Sequence, residues 1–330
     1  MSAVQQRPRA LAGWDGVGLL RRYGAIGALA LLALLNLAIT RNFATWQTLD
    51  VNLTQVSTIV IVGIGMTLVI ATGGIDLSVG SLMAISGALA PLIFLGRLVA
   101  WPTLWLGVAA ALVLPVLVTG AFGTFNGWLI TRFNIQPIIA TLVLFIAGRG
   151  IAQVMTNGNL QDFKVPQFQF IGLGRVLGVP FQVILMLVIF ALAAWMLRRT
   201  VFGRQILAVG GNERAARLSG VPVAAVKRRV YLISGLCAGV AGLIVIAINS
   251  ASDANLIGLG MELDAIAAVA VGGTLLTGGS ATVFGTLIGA LIIQLVRYTL
   301  LANGVPDAAA LVVKAAIIVL AVWLQRRGTA

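Results

Sequence analysis

Residues 198–229 read RRTVFGRQILAVGGNERAARLSGVPVAAVKRR, and this polar stretch interrupts a chain that is apolar on either side of it. It holds eight of the 22 basic residues. Within it, Asn212 is a favoured helix N-cap, ERAARLS supplies about two helical turns, Gly220 favours a helix end and Pro222 blocks continuation. We therefore expect one short, capped helix on a long loop, and its role depends on where the loop lies.

The composition indicates the solvent in which the chain folds. Hydrophobic residues make up 60% and charged residues 9% of the 330 positions, and the mean hydropathy is +1.05. Soluble domains carry nearer a quarter charged residues, so the sequence predicts an all-α polytopic protein of the lipid bilayer. The 39 glycines fit this class, because helices in lipid approach each other through small residues. We interpret the net charge of +13 as retention of cytoplasmic loops and not as binding of nucleic acid.

Several chemistries are excluded by residue types that the chain lacks. It has one cysteine and no histidine, so it cannot build an internal disulfide, a cysteine–histidine nucleophile or a histidine-based zinc site. No phosphate loop of the form GxxxxGK(S/T) occurs. We expect no catalytic residues, no metal and no cofactor in this chain, and any ATP hydrolysis must come from a partner.

Apolar runs of about 20 residues, the length that crosses a bilayer, occur about ten times. The stretch 120–133 is moderately apolar and is assigned to a long or broken fourth span. The first run is interpreted as an uncleaved span, because no small-residue cleavage site follows it cleanly. The predicted spans are 24–40, 54–72, 77–96, 101–119, 137–156, 180–197, 230–250, 262–277, 282–301 and 308–325.

Basic residues orient these spans. An even number of spans with both termini in the cytoplasm places most of the basic residues inside, including those of the 198–229 loop. The polar segment 157–178 then faces outward. The predicted organisation is a cytoplasmic tail at 1–23, a first helix group at 24–197, the cytoplasmic loop at 198–229, a second helix group at 230–325 and a cytoplasmic tail at 326–330.

Two glycine-containing stretches interrupt the helical pattern at membrane depth, ATGGIDLSVGS at 71–81 and VGGTLLTGGS at 271–280. Gly73 is expected to help end one helix, and Asp76 with Ser78 to cap the next. Exposed backbone in lipid is costly, so such breaks are tolerated only where protein or a wet cavity surrounds them. Their similar glycine spacing hints at an internal repeat.

Asp76 and Arg149 are ionisable residues within predicted apolar segments, where a charge is costly. One interpretation is a pathway for a charged or proton-coupled substrate, and the other is a structural ion pair or hydrogen-bonded group. We expect both side chains to stabilise a break or to pair with other polar groups, and not to relay protons.

Four motifs carry a resemblance to a known family: GMTLVIATGGIDLSVG at 65–80, IQPIIATL followed by AGRGIA at 135–152, AVGGNERAARLSG at 208–220 and ELDAIAAV at 262–269. In this order they resemble the permease subunits of ribose-type ABC sugar importers, from about residue 50 to residue 325. The sequence SDAN at 252–255 is most similar to permeases of galactofuranose importers.

What this resemblance implies is a transport subunit, not an enzyme, in the bacterial cytoplasmic (inner) membrane. Such permeases form a dimeric core from two copies or from two related chains. A cytoplasmic ABC ATPase docks beneath, and a periplasmic sugar-binding protein delivers a monosaccharide, here a pentose or a furanose-form hexose. By position, the family's ATPase-coupling loop matches Asn212, Glu213, Arg214, Ala215, Ala216, Arg217, Leu218, Ser219 and Gly220.

The matched helix also has faces that suit docking. Ala215 and Leu218 share one face, and Arg214 and Arg217 share another, because each pair is three positions apart. A two-turn helix with a small apolar patch and a basic edge could seat in a cleft of the ATPase. The alternative is a solvated loop whose charges only fix the orientation of the chain.

A neutral sugar needs hydrogen-bonding groups along its path. Each such group also has a structural alternative, because interhelical hydrogen bonds are common in membrane bundles. Asp253, Glu262 and Asp264 lie near the predicted outer face, where they could instead meet the binding protein or close the outer mouth. The candidate pathway or gate residues are Asp76, Asn126, Thr141, Gln153, Asn249, Asp253, Asn255, Glu262 and Asp264.

Two other classes of membrane protein stay open at this point. A secondary transporter or a channel for a small polar solute would also have broken helices and polar residues near the midplane. Neither class needs a capped helix on a basic loop, and neither needs an ATPase. Transport by the isolated chain would therefore favour these alternatives.

Overall fold

The computed structural model describes residues 16–306, 308–313, 315–317 and 319. Within them the chain is mostly helical, and its strands are β1 Gln161–Asp162, β2 Arg175–Val176, β3 Val179–Pro180 and β4 Ala251–Ser252. The helices are α1 Gly16–Ile39, α2 Trp46–Ala71, α3 Val79–Phe94, α4 Leu104–Phe133, α5 Pro137–Thr156, α6 Pro166–Leu173, α7 Phe181–Arg199, α8 Val201–Gly211, α9 Glu213–Leu218, α10 Val223–Asn249, α11 Met261–Val271 and α12 Val283–Ala302.

Among the described residues, six helices are long and apolar enough to cross a membrane: α2, α4, α5, α7, α10 and α12. The predicted all-α membrane architecture is therefore confirmed. The predicted count of about ten spans is not confirmed, because α3 has 16 residues and α11 has 11, whereas a span needs roughly 20. The first predicted span falls in α1, whose apolar part, Gly24–Ile39, is also short of that length.

The predictions for the two ends of the chain fall partly outside the described residues. Residues 308–313 and 315–317 of the last predicted span are helical. The predicted tail at 326–330 and the first 15 residues of the predicted N-terminal tail lie outside the described part, while 16–23 belong to α1. The cytoplasmic location of both termini stays a prediction.

Helix boundaries follow local sequence. α5 occupies 137–156 as predicted and starts with proline, a residue favoured in the first helical turn. The stretch 120–133 is the second half of α4, which continues through Pro115, so the long fourth helix is confirmed. α10 begins at Val223 and not at the predicted 230, because it continues through the basic residues at 227–229.

Small residues determine how closely the helices pack. α10 lies at the centre, against α2, α3 and α4. A side-chain carbon added at Gly123 of α4 would collide with the Tyr231 carbonyl, and one added at Gly235 of α10 with the Thr119 carbonyl. The two backbones are therefore in direct contact, which is the packing expected where lipid surrounds the bundle.

Both predicted breaks are present, the first at 72–78 and the second at 272–282. Gly73 has φ +79° and Gly273 has φ +85°. The Gly73 N–H donates to the Ile70 carbonyl at 2.8 Å, and the Gly273 N–H to the Ala270 carbonyl at 2.9 Å. The two helices thus end in the same way, with a left-handed residue that no side chain strains.

The expected capping of α3 takes a different form. Ser78 is the N-cap residue, but its side chain makes no capping hydrogen bond. Its own N–H is instead bound by the carboxylate of Asp76 at 3.0 Å. Ser78 is therefore at the predicted cap position of α3, and the capping side chain is that of Asp76, whose carboxylate also accepts from the Ser78 hydroxyl.

Short elements that the sequence did not predict lie between α5 and α7. β1 pairs antiparallel with β4, which directly follows α10. α6 packs against α7 and α10, and β2 and β3 form a hairpin directly before α7. Each of these elements is too short for hydrophobic periodicity to be visible.

Candidate functional site

The predicted coupling helix is α9, and its ends form as the sequence indicates. The side-chain oxygen of Asn212 accepts a hydrogen bond from the Ala215 N–H at 2.9 Å. At the other end Gly220 has φ +81°, and the Val221 N–H donates to the Ala216 carbonyl at 3.0 Å. The short capped helix is therefore confirmed.

Two contacts fix α9 to the helix bundle. Glu213 forms an ion pair with Lys227 of α10, with 2.5 Å between Oε2 and Nζ. Ala216 is buried among apolar side chains. Glu213 also binds Arg217 at 2.9 Å, one turn along the same helix, so Arg217 is a partner of Glu213 as well as part of a basic edge. These contacts give α9 a fixed orientation.

The outward face of α9 carries the predicted apolar patch. Leu218 is 83% exposed, and Ala215 beside it is also exposed. Arg214 is exposed on the same short helix. Single exposed leucines are common on protein surfaces, but this one lies next to a second apolar residue on a helix held from behind. The face can therefore enter a partner's cleft without rearranging.

A groove of about 160 Å³ separates α9 from the turn that joins α4 to α5. Asn134 and Gln136 line it on the side of the turn, and Glu213, Arg217 and Lys227 line it on the other side. The IQPIIATL motif and the coupling helix therefore lie at the same end of the bundle.

Three backbone segments meet close to the coupling helix. The Gly279 N–H in the second break donates to the carbonyl of Ala71, the last residue of α2, at 3.0 Å. A side-chain carbon added at Gly210, near the end of α8, would collide with that carbonyl and with the Gly279 nitrogen. One added at Gly278 would touch Gly73 and the Gly210 carbonyl. We call these five residues the break junction, and it joins both breaks to the segment that leads into α9.

Asp76 lies fully buried in the first break. One carboxylate oxygen accepts from the Ser78 N–H at 3.0 Å and from its hydroxyl at 2.6 Å, and the other accepts from the hydroxyl of Ser234 at 2.7 Å. Ser234 belongs to α10, so the carboxylate ties the first break to the central helix. This geometry agrees with a structural role for Asp76.

Two further candidate residues lie beside the first break. The Asn126 amide of α4 donates to the Ser78 hydroxyl at 3.0 Å. The Thr141 hydroxyl of α5 lies 3.3 Å from the Ile75 carbonyl, to which it donates. Both side chains are fully buried. The structure thus brings Asp76, Asn126 and Thr141 together around one break.

A second group of candidates lies at the other end of α5. Gln153 donates to the side-chain oxygen of Asn255 at 2.8 Å. The N–H and the amide group of Asn255 both donate to Asp253, at 2.8 and 2.9 Å. Arg149 donates to the carbonyl groups of Ala254 at 2.9 Å and Ile257 at 2.5 Å. We call the two α5 side chains with residues 253–257 the outer latch, after the outward side that the sequence predicts for this end of α5.

The remaining candidates lie next to the outer latch or apart from its hydrogen bonds. Glu262 and Asp264 are buried in the first turn of α11. The Glu262 carboxylate lies against Gly80 of α3 and, with Asp253, interacts electrostatically with Arg149. Asn249 is exposed at the last position of α10 and takes no part in the hydrogen bonds of either group.

Several residues that hold these groups or the neighbouring helices in place were not found from the sequence. Ser234 holds Asp76, and the hydroxyl groups of Thr67 and Thr286 meet at 2.6 Å between α2 and α12. A hydroxyl residue within an apolar run is a weak sequence signal, and it could have indicated Ser234, Thr67 and Thr286 as candidates. Gly210 has no such signal, because its neighbour Gly211 has the same sequence context, yet a side-chain carbon added at Gly211 meets none of the described residues within 4 Å.

Comparison with known proteins adds a family match. Residues 48–322 match the family described as the branched-chain amino acid transport system permease component. No solved structure matches the chain.

Individual relatives cover nearly the whole chain. The ribose import permease protein RbsC of Escherichia coli (strain K12) is 42% identical over 316 residues, 94% of each chain. The galactofuranose transporter permease protein YtfT of the same strain is 40% identical over 279 residues, 83% of this chain and 78% of the relative. The L-arabinose ABC transporter permease protein AraH of Azospirillum brasilense is 35% identical over 298 residues, 90% of this chain and 85% of the relative.

Proposed function

The chain belongs to the family of branched-chain amino acid transport system permease components, and from this premise we propose that it is the membrane-spanning subunit of an ABC importer for a monosaccharide. It is a transport subunit and not an enzyme, and it lies in the bacterial cytoplasmic (inner) membrane as a multi-pass protein. The observation that carries the proposal is its likeness, over 94% of its length, to a ribose import permease.

The cargo is a pentose or a furanose-form hexose. Relatives at 35–42% identity are named for ribose, galactofuranose and L-arabinose. Sugars of this size present hydroxyl groups that exchange hydrogen bonds with amide and carboxylate groups. Gln153, Asp253 and Asn255 offer such groups and are at least partly exposed, which supports contact with a sugar or with the protein that delivers it.

The buried group around the first break has a different role in this proposal. Asp76, Asn126 and Thr141 are engaged in hydrogen bonds within the protein. A buried polar group that is satisfied in this way stabilises one arrangement of the backbone. We therefore assign these residues to holding the break, and the translocation path to the surfaces that the break positions.

The chain works with partners. A second copy or a related permease completes the translocation path, a cytoplasmic ABC ATPase supplies nucleotide hydrolysis, and a periplasmic sugar-binding protein delivers the cargo. The loop that carries α9 lies on the cytoplasmic side, and α9 docks into the ATPase. Support for this docking comes from the exposed Leu218, from the ion pair that holds α9 from behind and from its capped ends.

Movement of α9 reaches the pathway through the break junction. α9 directly follows α8, and Gly210 of α8 touches both the Ala71 carbonyl and the Gly279 nitrogen. Because no side chain separates these backbones, a displacement of α8 shifts the ends of α2 and of the second break together. This contact supports a mechanical connection between the ATPase and the broken helices.

The docking of α9 into the ATPase is tested by introducing a single charge on its exposed apolar face. Leu218→Asp should abolish copurification of the ATPase with the permease and ATP-driven uptake in proteoliposomes, because it places a carboxylate in an apolar contact. Leu160→Asp is the matched control, since Leu160 is also an exposed leucine but lies in the loop between α5 and β1. Normal uptake by Leu218→Asp, or transport by the permease without ATPase and ATP, would contradict the proposal.

A further inference from the structure

The hairpin of β2 and β3 has a strained turn. Arg175 lies opposite Pro180 and Val176 opposite Val179, which leaves Leu177 and Gly178 as a two-residue loop. Both have positive φ, +51° and +82°. Loops of this type favour asparagine followed by glycine, because most side chains are strained in the left-handed region. Here a leucine occupies the first position.

Among the residues that the structure describes, none packs against Leu177 to offset this strain. Its side chain is 100% exposed, and Val176 and Val179 on either side are each more than a third exposed. Leu173, at the end of α6, is also exposed. The tip is therefore a small apolar projection held in a conformation that leucine avoids, and an apolar environment outside this chain would offset that cost.

The position of the hairpin indicates which environment surrounds its tip. Arg175 pairs with Asp50 of α2 at 2.7 Å, one turn after the exposed Trp46 at the start of that helix. On the other side, α7 begins at Phe181, directly after β3. Both α2 and α7 are membrane-spanning candidates. The hairpin therefore lies at the level where two spanning helices enter the bilayer.

We propose that the hairpin tip, residues 176–179, inserts into the boundary between headgroups and acyl chains and anchors this end of the protein to the lipid surface. Tryptophan is enriched at that boundary, and tryptophan and arginine side chains act as anchors there. Arg175 begins the hairpin, and Trp46 lies one turn before its partner Asp50. Short apolar projections gain free energy there by leaving water while their polar backbone stays near the headgroups.

Lipid is the occupant that the geometry favours over a docking protein. The tip lies directly before α7, a spanning candidate that exposes Leu187, Val188 and Leu192 along its length. An apolar tip at the end of a helix that exposes leucine and valine side chains to lipid lies at the edge of that same lipid. The inference rests on the membrane location of the chain and is independent of the ATPase and of the sugar.

The experiment measures which solvent reaches the tip. A nitroxide label is attached to Leu177→Cys in a Cys237→Ala background, which removes the chain's one native thiol. The full chain is reconstituted in vesicles of phosphatidylethanolamine and phosphatidylglycerol, without partners. Collision with oxygen, which concentrates in lipid, is compared with collision with a water-soluble nickel chelate. Asn159→Cys, exposed in the loop before β1, is the matched control.

We expect the ratio of oxygen to nickel collisions to be several-fold higher at position 177 than at position 159. A label at Val179→Cys should give the same result, which guards against a local effect of changing Leu177. Equal, water-like ratios at 177 and 159 would overturn the proposal. It would also be overturned if the label at 177 were shielded only after a binding protein is added, or if spin–spin broadening showed a second copy covering the tip.

Discussion

At the residue scale, Asp76 shows how a carboxylate is retained at membrane depth. It is fully buried, and three hydrogen bonds reach it, two from Ser78 and one from Ser234. Hydrogen bonds to a carboxylate are among the stronger ones in proteins. The side chain therefore joins the first break to α10 and fixes where α3 begins.

Asp76→Ala should destabilise the protein by about 2 kcal/mol or more, because it leaves buried donors without an acceptor. Asp76→Asn should cost clearly less, since the amide oxygen can keep the bonds from Ser78 and the amide nitrogen can donate to the Ser234 hydroxyl. Thermal unfolding in detergent measures both variants. Equal losses would contradict the structural role, and an Asn variant that folds normally but loses only proton-coupled uptake would indicate proton relay.

Leu177 gives a second prediction at the residue scale, this time for a substitution that relieves strain. Leu177→Asn should be about 1 kcal/mol more stable in detergent than the equally polar variant Val179→Asn, because asparagine tolerates the left-handed conformation that leucine avoids. Val179→Asn is the control, since it adds the same polar group to the same hairpin at a residue whose φ is not positive. If both variants change the unfolding temperature equally, strain at Leu177 is not the cause.

At the element scale, the break junction makes a prediction about coupling. Gly210→Ala should abolish sugar uptake by the assembled importer while ATP hydrolysis continues, because the added carbon collides with the Ala71 carbonyl and the Gly279 nitrogen. The collision separates α8 from the end of α2 and from the second break, the two segments that α8 is proposed to move. Uptake and hydrolysis are measured in parallel on the same proteoliposomes.

Gly211→Ala is the matched control for that variant. The two glycines are neighbours in α8, but nothing lies within 4 Å of a carbon added at Gly211. The control should transport as the unmodified protein does. Full activity of Gly210→Ala would show that α8 transmits no movement at this contact, and equal loss in both variants would indicate damage to α8 itself.

The same elements show which parts of the structure the sequence predicts. The bounds of α5 and the caps of α9 followed from residues such as Pro137, Asn212 and Gly220, because helix ends depend on neighbours in sequence. The break junction did not, because it depends on which backbones approach each other in space. Gly210 and Gly211 are identical in sequence terms, and only the packing of α2 and the second break distinguishes them.

At the scale of the whole molecule, composition predicted the membrane class, but length limits what apolar runs can establish. α3 and α11 lie where spans were predicted, and their 16 and 11 residues are too short to cross a bilayer as single helices. Each borders a break that ends or begins it early. Hydropathy detects the apolar character of such segments and not the turn that shortens them.

Most of the polar candidates fall in two places that α5 connects, the first break and the outer latch. α5 carries Thr141 beside the first break and Gln153 in the latch. The two positions are about 18 Å apart along the helix axis. The sequence supplied most members of both groups, but it could not assign them to groups, because their partners come from distant parts of the chain.

This arrangement suggests how ATP could control the far side of the membrane. The latch joins α5 to the loop before α11 through Arg149 and Gln153. α11 in turn leads into the second break, which contacts α8 at the break junction. On the proposal that Gln153, Asp253 and Asn255 meet the incoming sugar, this contact has to open during transport, and a movement at the junction can reach it through α11.

The last prediction therefore locks the latch. Cysteines at Gln153→Cys and Asn255→Cys, in the Cys237→Ala background, replace two side chains that touch at 2.8 Å. Joining them with a short bis-maleimide should stop ATP-driven uptake, because the loop before α11 can no longer leave α5. Each single-cysteine variant treated with the same reagent is the control for modification alone and should keep more of its uptake than the cross-linked pair. Uptake that continues unchanged in fully cross-linked protein would show that the latch stays closed throughout transport and that the sugar passes elsewhere.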